Sequence, residues 1–191
     1  MKNIILWVAV VFGLVLVPAL PAAGRAAQDG ASGIMPAVAA FEGRAKEYSR
    51  LREQIEDRMP KLPKEATPEQ ITAHKNAFTE RVRAVRAGAR QGQLFTPKVA
   101  AHIRATIKNS FTPKERAELR ETVLEAETQG VPVRVNQTYP ETKELVEMPP
   151  TLLLKLPQLP KQLRYRFVGR NLLLVDRENG LIVDYMTDAL P

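Results

Sequence analysis

Few residue types in this chain can carry chemistry. Its 191 residues include no cysteine and two histidines, which excludes disulfides, thiolate nucleophiles and cysteine metal sites and leaves imidazole scarce. His74 falls three residues after Ile71 and four before Phe78, at the border of an apolar stripe, while His102 precedes Ile103 on a separate helical stretch. With a carboxylate the two could share a metal, but no short ligand spacing joins them and zinc ordinarily takes three or four protein ligands. The spacing predicts no metal site and no cofactor; His74 and His102 are the imidazoles that could supply one.

Arg83, Arg86 and Arg90 recur at helical spacing along one side of an apolar stripe. Guanidinium forks match phosphate and carboxylate oxygens bidentately, so these arginines form a candidate anion clamp. The alternative is a solvated helix edge whose methylene stems cover the core. Nucleophilic hydrolysis lacks its parts: Ser32, Ser49 and Ser110 sit in no GxSxG elbow, and no glycine-rich phosphate loop follows a strand. Glu121 and Glu125 share a helix face at i,i+4, where solvation is the ordinary role. Any two carboxylates can meet in space, so a carboxylate-dependent hydrolase stays open as a lesser alternative to a non-enzymatic protein.

The totals set the class. With 45% hydrophobic and 26% charged residues the composition is globular, and a formal charge of +7 implies attraction to a polyanion. The N-terminus selects among polyanions. Lys2 precedes an apolar run from Ile4 to Leu20 and then the small residues of PAAGRAAQ, the order of a secretory signal peptide over residues 1–24, with cleavage after Gly24 or after Ala19. A spanning helix would need about 20 apolar residues, so no stable membrane span is expected after cleavage. Export without cysteine fits a bacterial envelope, periplasmic or secreted, and makes nucleic acid an improbable partner. An envelope protein or an anionic envelope surface is the expected one.

Local signals place the elements. A flexible lead-in is expected over residues 25–35 and a helical region over 36–130. Phe41, Tyr48, Leu51, Ile55 and Met59 mark the first amphipathic stripe, which Pro60 ends. Three later helices open with Thr67-Pro68, Thr96-Pro97 and Thr112-Pro113, threonine at the N-cap and proline at the first helical position; Gln70 and Glu115 complete capping boxes on the first and third. Their buried stripes read as Ile71, Phe78, Val82, Val85 and Ala89, then Val99, Ile103 and Ile107, then Leu119 and Val123. Gly92 and Gly130 read as C-terminal caps.

A small α+β region is expected over 131–191. Val131, Val133 and Val135 alternate as a short edge strand, Tyr139 to Met148 reads as loop, and Pro150 to Leu156 as a short apolar segment packed on the sheet. The region closes on a three-strand antiparallel meander. Leu163, Tyr165 and Phe167 alternate with Arg164 and Arg166; Gly169-Arg170 forms a tight turn; Leu172 to Val175 is apolar on both faces, as a central strand would be; and Arg177 to Gly180 turns into the last strand. The fold class is therefore α+β: about four amphipathic helices and then the meander.

With its proline-led entry, aromatic first strand and aliphatic second strand, LPKQLRYRFVGRNLLLVDRENGLIVDYM resembles the C-terminal meander of the periplasmic nickel/cobalt-efflux regulator family. The resemblance implies a metal-responsive periplasmic regulator as an alternative function. The chain has no histidine-rich N-terminal segment, so no functional residue carries over. The whole chain is also similar to exported bacterial proteins of no assigned function that bear RAVRAGARQGQLF and this same ending.

Overall fold

The computed structural model describes residues 23–126, 131, 133–140 and 148–190, with side chains from residue 33 onward. Its elements are α1 (Ala23–Asp57), α2 (Pro68–Val85), α3 (Pro97–Ser110), α4 (Pro113–Glu125), the short α5 (Pro150–Leu153), and the strands β1 (Leu163–Val168), β2 (Asn171–Asp176) and β3 (Ile182–Met186). The strands form one antiparallel sheet in the order β1-β2-β3. This is the expected α+β architecture, with the aliphatic strand in the middle.

Helix α1 departs from expectation at its start. It begins at Ala23 and runs through Pro36, so residues 25–35 are helical and not a flexible lead-in. Proline removes one backbone bond and crowds the preceding turn, but the alanine-rich sequence around it has the strongest helix propensity of any residue type. The signal-peptide reading falls mainly on residues 1–22, which lie outside the described residues. Among the described residues no helix is long and apolar enough to cross a membrane.

The threonine caps form as their spacing requires. Thr67 with Gln70 and Thr112 with Glu115 make reciprocal capping boxes, while Thr96 caps α3 without a side-chain bond. Phe41, Tyr48 and Ile55 of α1 are buried and Leu51 half-buried, Met59 is buried just past the helix end, and the α3 stripe is buried throughout. That of α2 is not: Phe78 and Val82 are buried, whereas Ile71 is 49% and Val85 62% exposed. Only the middle of α2 meets the core, and Ala89 lies beyond the helix end. On α4 Val123 is buried and Leu119 half-buried. Gly92, with φ +82°, belongs to the α2–α3 loop and caps no helix, because α2 stops at Val85; Gly130 lies outside the described residues.

The two-residue turn joining β1 to β2 has Gly169 at φ +54°, the left-handed backbone glycine adopts without strain. Gly180, at φ +70°, closes the second turn, where a Cβ would come within 3.1 Å of the Tyr139 carbonyl. Between the Leu174–Asp184 and Val175–Ile182 pairs the register shifts, leaving Val183 unopposed as a bulge. The edge strand expected over Val131–Val135 is not seen among the described residues of that stretch. Asn136 takes φ +65°, which breaks the extended run, and the chain pairs with β3 only afterwards: the Asn136 amide donates to the Ile182 carbonyl and the Ile182 amide to the Gln137 carbonyl, both at 2.8 Å.

Helices and sheet share one core. The face of the sheet bearing Tyr165, Phe167, Leu172 and Leu174 packs into the same cluster as Phe41, Val82, Ile103 and Val123. Phe41 of α1 stacks on Phe95 at 5.5 Å and on Tyr165 at 6.5 Å, tying helix, loop and strand together. α5 buries Leu152 beside Leu156 in this cluster and packs against α3 rather than on the sheet alone. The opposite face, with Leu173, Val175 and Ile182, is covered by Tyr139, Val131 and Val133.

Candidate functional site

The two histidines are not brought into a site. His74 Nε2 lies 3.1 Å from the Pro60 carbonyl, tying α2 to the connector before it, and His102 sits half-buried on α3. Among the described residues no group of three or more His, Asp or Glu side chains is placed to hold a metal.

The three arginines divide. Arg83 donates from Nε to the Asn136 carbonyl at 2.9 Å and from Nη2 to the Thr138 hydroxyl at 2.6 Å, and pairs with Glu80 at 2.5 Å. Arg86 donates to the Asn136 side chain at 3.1 Å and to the bulged Val183 carbonyl at 2.7 Å, while its guanidinium lies 5.0 Å from the Tyr48 ring centroid. Burial pulls Arg86 below the usual arginine range, with Tyr48 and Asp184 opposing. These two side chains fasten α2 to residues 136–138 and to β3. They are neither a clamp nor a solvated edge; Arg90 lies past the end of α2 in the α2–α3 loop, where it is exposed. Arg83 also borders a cleft of about 370 Å³ with Lys75, Glu80, Thr79, Thr138 and Asn179. Its mixed donors and acceptors, with a carboxylate among them, do not select an anion.

Two buried aspartates in the meander, which the sequence gave no reason to single out, hold the architecture. Asp184 accepts from the amides of Gly92, Leu94 and Phe95 at 2.8, 2.7 and 2.8 Å, locking the loop before α3 onto β3. Asp176 accepts from the Tyr48 hydroxyl at 2.7 Å and lies 3.2 Å from Arg52 Nε; Arg52 also pairs with Glu178 and lies over the Phe78 ring. Burial, and then Asp176, push the Tyr48 phenol well above its usual value. Both aspartates are completely buried, out of reach of a substrate.

What remains open is a groove of about 330 Å³ along the edge strand β1. Alternation on β1 turns Leu163, Tyr165 and Phe167 to the core and leaves Arg164 and Arg166 on the other face. The Leu163–Asp176 register brings Arg177 alongside, its Nε donating to the Leu163 carbonyl at 3.2 Å. The proline-bounded connector before β1 is pinned by the Tyr165 hydroxyl, which donates to the Pro157 carbonyl at 3.0 Å, and by the Gln158 amide, which donates to Glu42 at 2.8 Å. Lys161 then completes a rim of four cations over an apolar floor of Met148, Leu153, Leu159 and Pro160.

No carboxylate lines this groove among the described residues. Arg164 Nε is buried without a hydrogen-bond acceptor, and the Arg164 guanidinium is held below its usual range by burial and then by the neighbouring Arg177 cation, against the opposing pull of Asp176. Positive charge is concentrated here, and the buried Arg164 Nε keeps a donor with no acceptor among the described residues. The arrangement can accept a carboxylate or phosphate whose attached apolar part rests on the floor. Sequence reasoning saw Arg164 and Arg166 as the wet face of a strand; their convergence with Lys161 and Arg177 depends on strand register, which no local pattern carries.

No protein-family model, curated protein or solved structure matches this chain.

Proposed function

We propose that the protein is an exported, non-enzymatic envelope protein that binds an anionic partner through the groove beside β1. The observation that carries this reading is the set of cations, Lys161, Arg164, Arg166 and Arg177, around an apolar floor with no lining carboxylate among the described residues. The overall charge of +7 and the signal-like N-terminus support it by directing a basic surface toward envelope anions. The groove offers donors and methylene stems but no general base beside a nucleophile, which fits binding better than turnover.

Thermal unfolding with soluble probes tests the reading. Short-chain phosphatidylglycerol below its micelle concentration and an oligoglutamate peptide are the anions; short-chain phosphatidylcholine and oligoglutamine are the neutral controls. A ligand at a hundredfold its Kd stabilises by about 2.7 kcal/mol, a rise of roughly 5–10 °C in a chain of this size. At least one anion should raise the Tm in the natural chain and not in the Lys161→Gln/Arg164→Gln variant. Anionic probes that act no differently from their neutral counterparts would defeat the reading.

A further inference from the structure

We infer that the mouth of this groove docks onto an anionic lipid bilayer, with Leu153 and Leu154 entering the interface. The inference rests on the anion-binding reading above and names its partner. In the turn formed by α5, Leu152 and Leu156 are buried, while Leu153 is 46% and Leu154 82% exposed. Backbone bonds fix this presentation: the Leu152 and Leu153 amides donate to the Pro149 carbonyl and the Leu154 amide to the Pro150 carbonyl, at 3.0, 3.0 and 3.2 Å. Leu153 also lines the groove with Lys161, Arg164 and Arg177, and Lys155 follows in an exposed position.

Single exposed leucines are ordinary on a protein surface and need no partner. Two in succession, held on an anchored turn and bordered by cations, form the arrangement that places apolar side chains below lipid headgroups and basic ones among the phosphates. Leu154 projects outward and lies largely uncovered by the described residues. A deformable bilayer accepts such a projection, and charge complementarity requires that bilayer to be anionic.

Sedimentation of the full chain with vesicles tests this. Vesicles of phosphatidylcholine mixed with phosphatidylglycerol should retain the protein and vesicles of phosphatidylcholine alone should not. Leu153→Ser/Leu154→Ser should weaken retention about tenfold or more, and each of Lys155→Gln, Lys161→Gln and Arg164→Gln about fivefold. The absence of native cysteine allows a direct readout that does not depend on these variants folding. An environment-sensitive fluorophore on Leu154→Cys should shift to the blue on anionic vesicles, and one on Leu124→Cys, exposed on α4, should not.

Equal retention by the two kinds of vesicle, or a Leu154 label that behaves like the Leu124 label, would overturn the bilayer assignment. If the soluble anions still raised the Tm through Lys161 and Arg164 in that case, the groove would stand as an anion site with a different partner. If they did not, both readings would fall.

Discussion

Tyr48, Arg52 and Asp176 show how single residues join distant parts of this chain. The Tyr48 hydroxyl reaches across to Asp176, and Arg52 fills the space between Asp176, Glu178 and the Phe78 ring. Tyr48→Phe should cost about 1–2 kcal/mol in chemical denaturation, because it leaves a completely buried carboxylate short of a donor. The phenol also gives the protein an alkaline limit. Burial raises both Tyr48 and Tyr165 above the ordinary tyrosine value of 10.0. Above that pH the unfolded chain has released protons that the folded chain keeps, so the folded state binds more protons and stability falls as pH rises. Below it the contribution is constant. The phenolate absorbance that belongs to Tyr48, taken as the difference between the natural chain and Tyr48→Phe, should therefore rise together with loss of helical signal, and Tyr48→Phe should make the alkaline decline shallower. Ionisation of Tyr48 with the fold intact would contradict this.

Among the elements, the helix starts are the most local in origin and were the most legible. A threonine, a proline and a Gln or Glu three residues after the threonine are all that the capping boxes of α2 and α4 require. Thr67→Ala should cost about 1 kcal/mol, whereas Thr96→Ala, which breaks no side-chain cap bond, should cost less. The loop between α2 and α3 depends instead on a residue far along the chain. Asp184→Ala leaves the three loop amides, and the Tyr185 amide as well, without their carboxylate acceptor, and we expect a loss on the order of 3–5 kcal/mol. Asp184→Asn, which keeps one acceptor oxygen, should lose less. Equilibrium unfolding in denaturant measures all four variants. Nothing near Asp184 in sequence foretold this role: an aspartate between Val183 and Tyr185 reads as a solvated strand position, and only the Val183 bulge and the packing of β3 beneath the loop make it internal. The Val131–Val135 alternation misled for the same reason, since the left-handed backbone at Asn136 delays pairing until the chain meets Gly180 and Ile182.

At the scale of the molecule, one core spans helices and sheet, and the arginines divide into two roles. Those of α2 turn toward the protein: Arg83 and Arg86 donate to backbone carbonyls 53 and 97 residues away. Those of β1 turn toward the groove. Helical spacing placed Arg83, Arg86 and Arg90 on one side of a helix, but α2 ends at Val85 and leaves Arg90 in the following loop, and nothing local showed that Asn136 and Val183 would occupy the first two. The β1 arginines were legible as a polar face and became a site only through the Leu163–Asp176 register, which sets Arg177 beside Arg164. The Lys161 and Arg164 side chains make no hydrogen bond or ion pair with the described residues, so replacing them should leave the fold intact.

This division allows the account to be tested by one comparison: unfolding free energy and affinity for the anionic probe, measured on Lys161→Gln/Arg164→Gln and on Arg83→Gln/Arg86→Gln. The groove variant should keep its stability and lose binding. The α2 variant should lose about 2–4 kcal/mol of stability through its orphaned carbonyls and, under conditions where it remains folded, keep binding. The reverse pattern, with binding lost from α2 and retained at the groove, would contradict the account.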